Sequence, residues 1–159
     1  MDHTVLCVDD EQDNVDALER LLRKKYRILK ATAPEKALEI LEKENTTVII
    51  SDQRMPNMTG VEFLAKSIKI RPLASRILLT GYTDIESVIS AINSGQVYRY
   101  VTKPWDPVDL ANAVDKAVER VELTYELQEK NRELETALQE IKTGLDRKST
   151  RLNSSHGYR

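Results

Sequence analysis

An open α/β fold, a five-stranded parallel sheet wound on both faces by helices, is what this sequence predicts, and three features point to it. Short β-rich runs alternate with amphipathic segments five times along the chain, the pattern of a parallel sheet covered by helices on both sides. The intervening segments repeat their apolar residues at helical spacing. Polar residues with chemistry to offer stand just after the runs, where the carboxyl ends of parallel strands gather functional groups. The predicted fold is (βα)5, doubly wound, with an extended C-terminal helix.

The strands are read at Thr4 to Val8, Tyr26 to Ala31, Thr47 to Ser51, Arg76 to Thr80 and Tyr98 to Val101. Between them lie core-facing stripes: Val15, Leu18, Leu21 and Leu22; Ala37, Leu38 and Leu41; Val61, Leu64 and Ile68; Ile85, Val88, Ile89 and Ile92. Gly95 stands where a left-handed C-terminal cap would stop the fourth helix, and Asp106 with Pro107 starts the fifth with a cap and a preset first turn. Cys7, the one cysteine, sits inside an apolar run and reads as a small buried hydrophobe, so neither disulfide nor thiol chemistry is implied.

After Asp106 the helical pattern continues through Leu110, Val114, Val118 and Val121 without Gly or Pro into a charged, Leu-spaced segment. With Leu127, Leu134 and Ile141 at d positions, Thr124, Asn131, Leu138 and Leu145 fall at a, and the 3.5-residue period of a coiled coil holds over residues 123–145. Asn131 in the seam favours a parallel two-stranded register, and Lys130 at g can meet Glu135 at e of a partner chain, so a parallel homodimer is expected. The competing reading is a single solvated signalling helix packed on another domain.

The segment Asp146 to His156 reads DRKSTRLNSSH, lacks a hydrophobic period and matches one reading frame of a sequencing-adapter oligonucleotide. Residues 146–159 are therefore expected to be non-native, which implies that a downstream output domain is truncated. The organisation expected is 1–122 for the α/β domain, 123–145 for the coiled coil or signalling helix, and 146–159 for the tail. Four basic residues and one acidic residue leave with that tail, taking the net charge from −2 to −5.

This balance, with no basic stripe, argues against direct nucleic-acid binding, which requires several phosphates to be neutralised. Apolar residues make up 40% and charged ones 31%, as in a folded domain. No apolar run approaches membrane-spanning length and no cationic leader precedes one, so a cytoplasmic location is expected.

Five polar groups are expected to converge at one sheet edge: Asp9 and Asp10 after the first strand, Asp52 after the third, Thr80 at the end of the fourth and Lys103 after the fifth. Singly they are ordinary, as caps, turn residues or a solvated lysine. Together, three carboxylates at close range raise one another's proton affinity unless a cation sits among them, and oxygen ligands suit Mg2+. A metal-assisted phosphoryl site follows.

The strings VDD, SDQRMPNMTG, LLTGYTD and YRYVTKPWD, in this order and spacing, resemble the receiver domains of bacterial two-component response regulators over about Thr4 to Val121. That resemblance implies a flavodoxin-like receiver fold and a regulatory phosphoacceptor, not an enzyme acting on a separate substrate. It makes Asp52 the acceptor of a phosphoryl group from a sensor histidine kinase or phosphotransfer protein. Asp10 would hold Mg2+ directly, Asp9 largely through a water, and Asp52 and the backbone carbonyl of Arg54 would complete the set. Lys103 and Thr80 would hold phosphoryl oxygens, and Thr80 with Tyr100 would switch the surface made by helix four, strand five and helix five. Pro104 resembles a cis-proline turn that aims the lysine.

Arg54 and Tyr82, each two residues after a site position, are bulky enough to crowd an attacking water and prolong the aspartyl phosphate. Other classes fit less well. A haloacid-dehalogenase-type phosphatase needs an acid where Arg54 stands, and His3 and His156 are not placed to make a histidine kinase. A pseudo-receiver that binds or dimerises without phosphorylation is the alternative. Following the resemblance, cyclic-dinucleotide phosphodiesterase, cyclase, phosphatase or kinase outputs rank above DNA-binding ones.

Overall fold

The computed structural model describes residues 2–157, with side-chain detail for 2–148. The chain divides into two compact units, Met1–Val121 and Glu122–Arg159. The first holds β1 (Thr4–Val8), α1 (Gln12–Leu22), β2 (Arg27–Ala31), α2 (Pro34–Lys43), β3 (Val48–Asp52), α3 (Gly60–Ile70), β4 (Ser75–Thr80), a 3-10 turn (Tyr82–Asp84), α4 (Ile85–Asn93) and β5 (Arg99–Thr102). It also contains the start of α5 (Pro107–Gly157). The strands form one parallel sheet in the order β2-β1-β3-β4-β5, which is the predicted doubly wound (βα)5 architecture.

Strand β1 falls where the sequence places it, β2 and β4 differ by one residue at the first end, and β3 and β5 are shifted by one residue at both ends. The difference arises from pairing. Asp52 pairs in register with Leu79, and Thr102 with Thr80, so the ladder carries β3 and β5 one residue further than composition suggests. The backbone N–H of Lys103 then donates to the carbonyl of Thr80 at 2.9 Å.

The central strands β1, β3 and β4 are buried throughout, as expected for a sheet covered on both faces. Leu6, Val8, Ile49 and Leu78 pack with residues of α2, α3 and α4. Val5, Cys7, Val48, Ile50, Ile77 and Leu79 pack with α1 and the first turns of α5. Cys7 is fully buried, and burial pushes its thiol up to about 12, consistent with a structural role.

Two sequence-predicted stripes need correction. In α3 the buried residues are Gly60, Phe63, Leu64 and Ser67; Val61 is half-buried and packs against the core as read, whereas Ile68 is only half-buried. The Ser67 hydroxyl donates to the Leu64 carbonyl at 2.6 Å, which makes a polar residue admissible there. In α4, Val88 and Ala91 face the core, and Ile89 is 43% exposed. A nine-residue helix beside the edge strand β5 presents only a narrow stripe to the sheet.

The helix ends behave as expected. Gly95 has φ +82° after α4, a left-handed position that glycine takes without steric cost. Asp106 Oδ2 accepts from the Asp109 N–H at 3.0 Å, and Pro107 is the first helical residue. The Lys103–Pro104 peptide bond is cis. Within the first unit α5 buries Leu110, Ala113, Val114, Ala117, Val118 and Val121.

The second unit is helical through Gly157, including the part of 146–159 that the sequence sets apart as a tail. Leu127, Leu134, Leu138, Ile141 and Leu145 are each more than half exposed, while Glu129 and Arg132 pair at 3.3 Å. Among the described residues, no helix is long and apolar enough to cross a membrane.

Candidate functional site: an acidic cluster at the carboxyl edge of the sheet

The chain leaves β1 for β2 on one side and returns to β3 on the other, and such a reversal opens a crevice at the carboxyl ends of the strands. Asp9, Asp10 and Asp52 meet there, each offering a carboxylate oxygen within 4.8 Å of the others. Asp9 and Asp52 are buried and Asp10 is exposed. A compact set of hard oxygen donors with one open side suits a small divalent cation that keeps some of its water.

Lys103 reaches the cluster from beyond β5. Its Nζ lies 2.8 Å from Asp52 Oδ1 and 3.5 Å from Asp9 Oδ2. Burial alone would lower the lysine, but the hydrogen bonds and charges of Asp52 and Asp9 win and raise it above its ordinary value. Asp52 does not respond as a simple ion-pair partner. Burial outweighs the lysine, the charge of Asp9 adds to it, and the Asp52 carboxyl is also raised. One lysine thus serves two buried carboxylates and leaves an excess of negative charge.

Asp9 is the most tightly held member. Its oxygens accept from the backbone N–H of Glu11 at 3.0 Å and from Asn14 Nδ2 at 3.1 Å. Asn14 is a site residue that sequence reasoning missed, although its place in the first turn of α1, five residues after Asp9, was a usable signal.

The loop after Asp52 is shaped by three further residues. Asn57 takes φ +71°, a conformation asparagine tolerates better than most residues. Thr59 caps α3 by accepting from the Glu62 N–H at 3.2 Å. Gln53 Oε1 accepts from the Val61 N–H at 3.0 Å.

Thr80 is buried at the end of β4, and its hydroxyl donates to the Gly81 carbonyl at 3.3 Å. Tyr100 is half-buried on β5 and packs against the core on the α2 to α4 side. The Arg54 guanidinium is engaged by Asp84, just before α4, at 2.7 and 3.0 Å, a partner thirty residues away that the sequence did not suggest. Tyr82 is 74% exposed. Trp105 is half-buried and shares a cleft with Lys103, Pro104 and Asn14.

Residues 5–115 match the family model of the response regulator receiver domain. The chain belongs to the response regulator receiver family. Among curated proteins, the receiver is 40% identical over 134 residues to the hydrogenase transcriptional regulatory protein HoxA of Cupriavidus necator, covering 84% of this chain and 28% of that protein. It is 37% identical to the Bradyrhizobium diazoefficiens protein of the same name, covering 87% of this chain and 27% of that protein. The chain therefore spans about a quarter of the length of these relatives.

Among solved structures, a signal receiver domain of an HD domain-containing protein from Pseudomonas fluorescens Pf-5 is 33% identical. Its TM-score is 0.73, and the match covers 79% of this chain and 93% of that one. A structure described as adenylate cyclase from Rhodopirellula baltica is 28% identical with a TM-score of 0.81, covering 83% of this chain and 98% of that one.

Proposed function

We propose that Asp52 accepts a phosphoryl group from a histidine kinase or phosphotransfer protein in a Mg2+-dependent reaction, and that the modification resets the surface formed by α4, β5 and α5. The observation that carries this reading is the Lys103 ammonium 2.8 Å from Asp52 in a cluster of three converging carboxylates. An Asp52 oxygen attacks phosphorus in line with the phosphohistidine P–N bond. As the P–O bond forms, the P–N bond breaks and its electron pair leaves on the imidazole nitrogen, which takes up a proton.

Asp9, Asp10, Asp52 and the Arg54 carbonyl would hold Mg2+, which supplies positive charge against the transferring phosphoryl group. Lys103 holds a phosphoryl oxygen by a charge-assisted hydrogen bond and offsets charge in the transition state. The Thr80 hydroxyl exchanges the Gly81 carbonyl for another oxygen, and Tyr100 turns into the space that Thr80 leaves.

Trp105, beside Lys103 and Pro104, supplies the test. Its fluorescence should respond to Mg2+ and again to beryllofluoride, an acyl-phosphate mimic, and Asp52→Asn should lose the second response. If neither addition changes the signal and acetyl phosphate leaves the intact mass unchanged, the chain is instead a pseudo-receiver that binds or dimerises without phosphorylation.

We further propose that residues 123–145 form a parallel homodimer, with Asn131 setting the register and Lys130 facing Glu135 of the second copy. The exposed apolar seam supports this over a solvated helix. Sedimentation of the whole chain should show a concentration-dependent dimer that Leu134→Lys abolishes, and a monomer at every concentration would refute the pairing.

The domain organisation 1–122, 123–145 and 146–159, with an output domain in the intact protein, belongs to this same reading. The HoxA relatives are named transcriptional regulatory proteins, which weighs against placing DNA-binding outputs below enzymatic ones, while the cyclase and HD-domain neighbours favour the enzymatic ones.

A further inference from the structure

Asp84 stands immediately before α4, where an aspartate ordinarily accepts a hydrogen bond from the second or third backbone N–H of the helix. Its side chain makes no such bond. Both carboxylate oxygens are taken by Arg54: Nε donates to Oδ2 at 2.7 Å and Nη2 to Oδ1 at 3.0 Å, with Nη2 also 3.5 Å from Thr83 Oγ1. The hydrogen bond from Arg54 holds the Asp84 carboxyl below its ordinary value.

Arg54 lies two residues beyond Asp52, so a single side chain joins the acceptor loop to the start of α4. The pair borders a cleft of about 450 Å³ together with Gln53, Met55, Pro56 and Thr59. The Arg54 side chain is three-quarters exposed, and an exposed pair of this kind is easily exchanged. A phosphoryl dianion offers the planar guanidinium a more highly charged partner of matching bidentate geometry.

We propose that Arg54 and Asp84 form a charge-exchange latch, in which phosphorylation of Asp52 draws the guanidinium to the phosphoryl group and releases Asp84 to cap α4. This rests on Asp52 being the acceptor. The backbone of Asp84, at φ −103° and ψ 1°, lies outside the extended region a capping residue adopts. Taking up the cap therefore turns the 3-10 segment Tyr82–Asp84 and resets the first turn of α4. The carboxylate has one partner in each state, as a two-state element requires.

Amide hydrogen exchange at Glu86 and Ser87, measured on the whole chain, tests the latch. In the wild type, beryllofluoride with Mg2+ should slow these amides by about 3- to 10-fold, the range a capping bond gives. Arg54→Gln should show the slow rates before any addition, because nothing then holds Asp84. Asp84→Ala should bind beryllofluoride, as read by Trp105, and show no slowing.

Wild-type rates in untreated Arg54→Gln, or an undiminished response in Asp84→Ala, would overturn the latch. Failure of every variant to bind beryllofluoride would overturn the acceptor reading instead, and the untreated Arg54→Gln comparison would still decide the latch.

Discussion

Gly60→Ala is expected to destabilise the receiver by about 3 kcal/mol, at the upper end of what overpacking a filled core costs, and to lower its Tm by roughly 10 °C. A Cβ at position 60 would lie 2.2 Å from the carbonyl oxygen of Asp52, 3.0 Å from its carbonyl carbon and 2.6 Å from Leu78 Cδ1. The leucine end could turn aside. The backbone of Asp52 cannot, because its strand is paired on both sides.

Relief would therefore come from lifting the start of α3 away from β3, which loosens Phe63 and Leu64 and the Gly60 N–H bond to the Gln53 carbonyl. The same movement displaces Asp52, so the beryllofluoride response should weaken with the stability. Gly81→Ala is the matched control, since an added Cβ there meets nothing within 4 Å. Thermal unfolding of the two variants makes the comparison, and a Gly60→Ala protein within about 1 kcal/mol of wild type would contradict it.

Lys103→Met should destabilise the metal-free receiver by about 2 kcal/mol at neutral pH. Removing one member of a fully buried ion pair costs about 3–5 kcal/mol, and the lysine here is partly exposed, which reduces the figure. The loss arises because Asp9 and Asp52 lose the ammonium that serves both.

The pH dependence has a definite sign. Burial raises the Asp52 carboxyl above its unfolded value, so its protonated form favours the fold at acid pH, and that contribution is lost as pH rises through the raised value. The Lys103→Met deficit should be small in acid and grow toward neutrality. Combining it with Asp52→Asn should recover most of the loss. Equal melting temperatures for Lys103→Met and wild type at neutral pH without divalent cations would show that the lysine does not balance these carboxylates.

Much of this was legible in the residues. The alternation of β-rich and amphipathic segments specifies a parallel sheet, because its central strands must be apolar on both faces and its helices on one. The strand-end positions of Asp9, Asp10, Asp52, Thr80 and Lys103 follow from that topology, since parallel strands bring their carboxyl ends to one edge. Gly95 and the Asp106–Pro107 pair reflect local backbone preferences and were equally readable.

What escaped the sequence depends on partners distant along the chain. Ile89 has the same spacing as a core residue, yet a short helix beside an edge strand leaves it exposed. Gly60 looks like an ordinary loop glycine until α3 is laid against the carbonyl of Asp52. The Arg54–Asp84 pair spans thirty residues, and Asp84 alone reads as a helix cap. The sheet, its order of elements and the identity of the converging side chains are written in the residues themselves, because hydrophobic period and strand direction are properties of contiguous residues. Which carboxylates share the lysine, where a methyl group has no room and which charge holds the start of α4 emerge only in the folded chain, because close contacts are set by packing between segments.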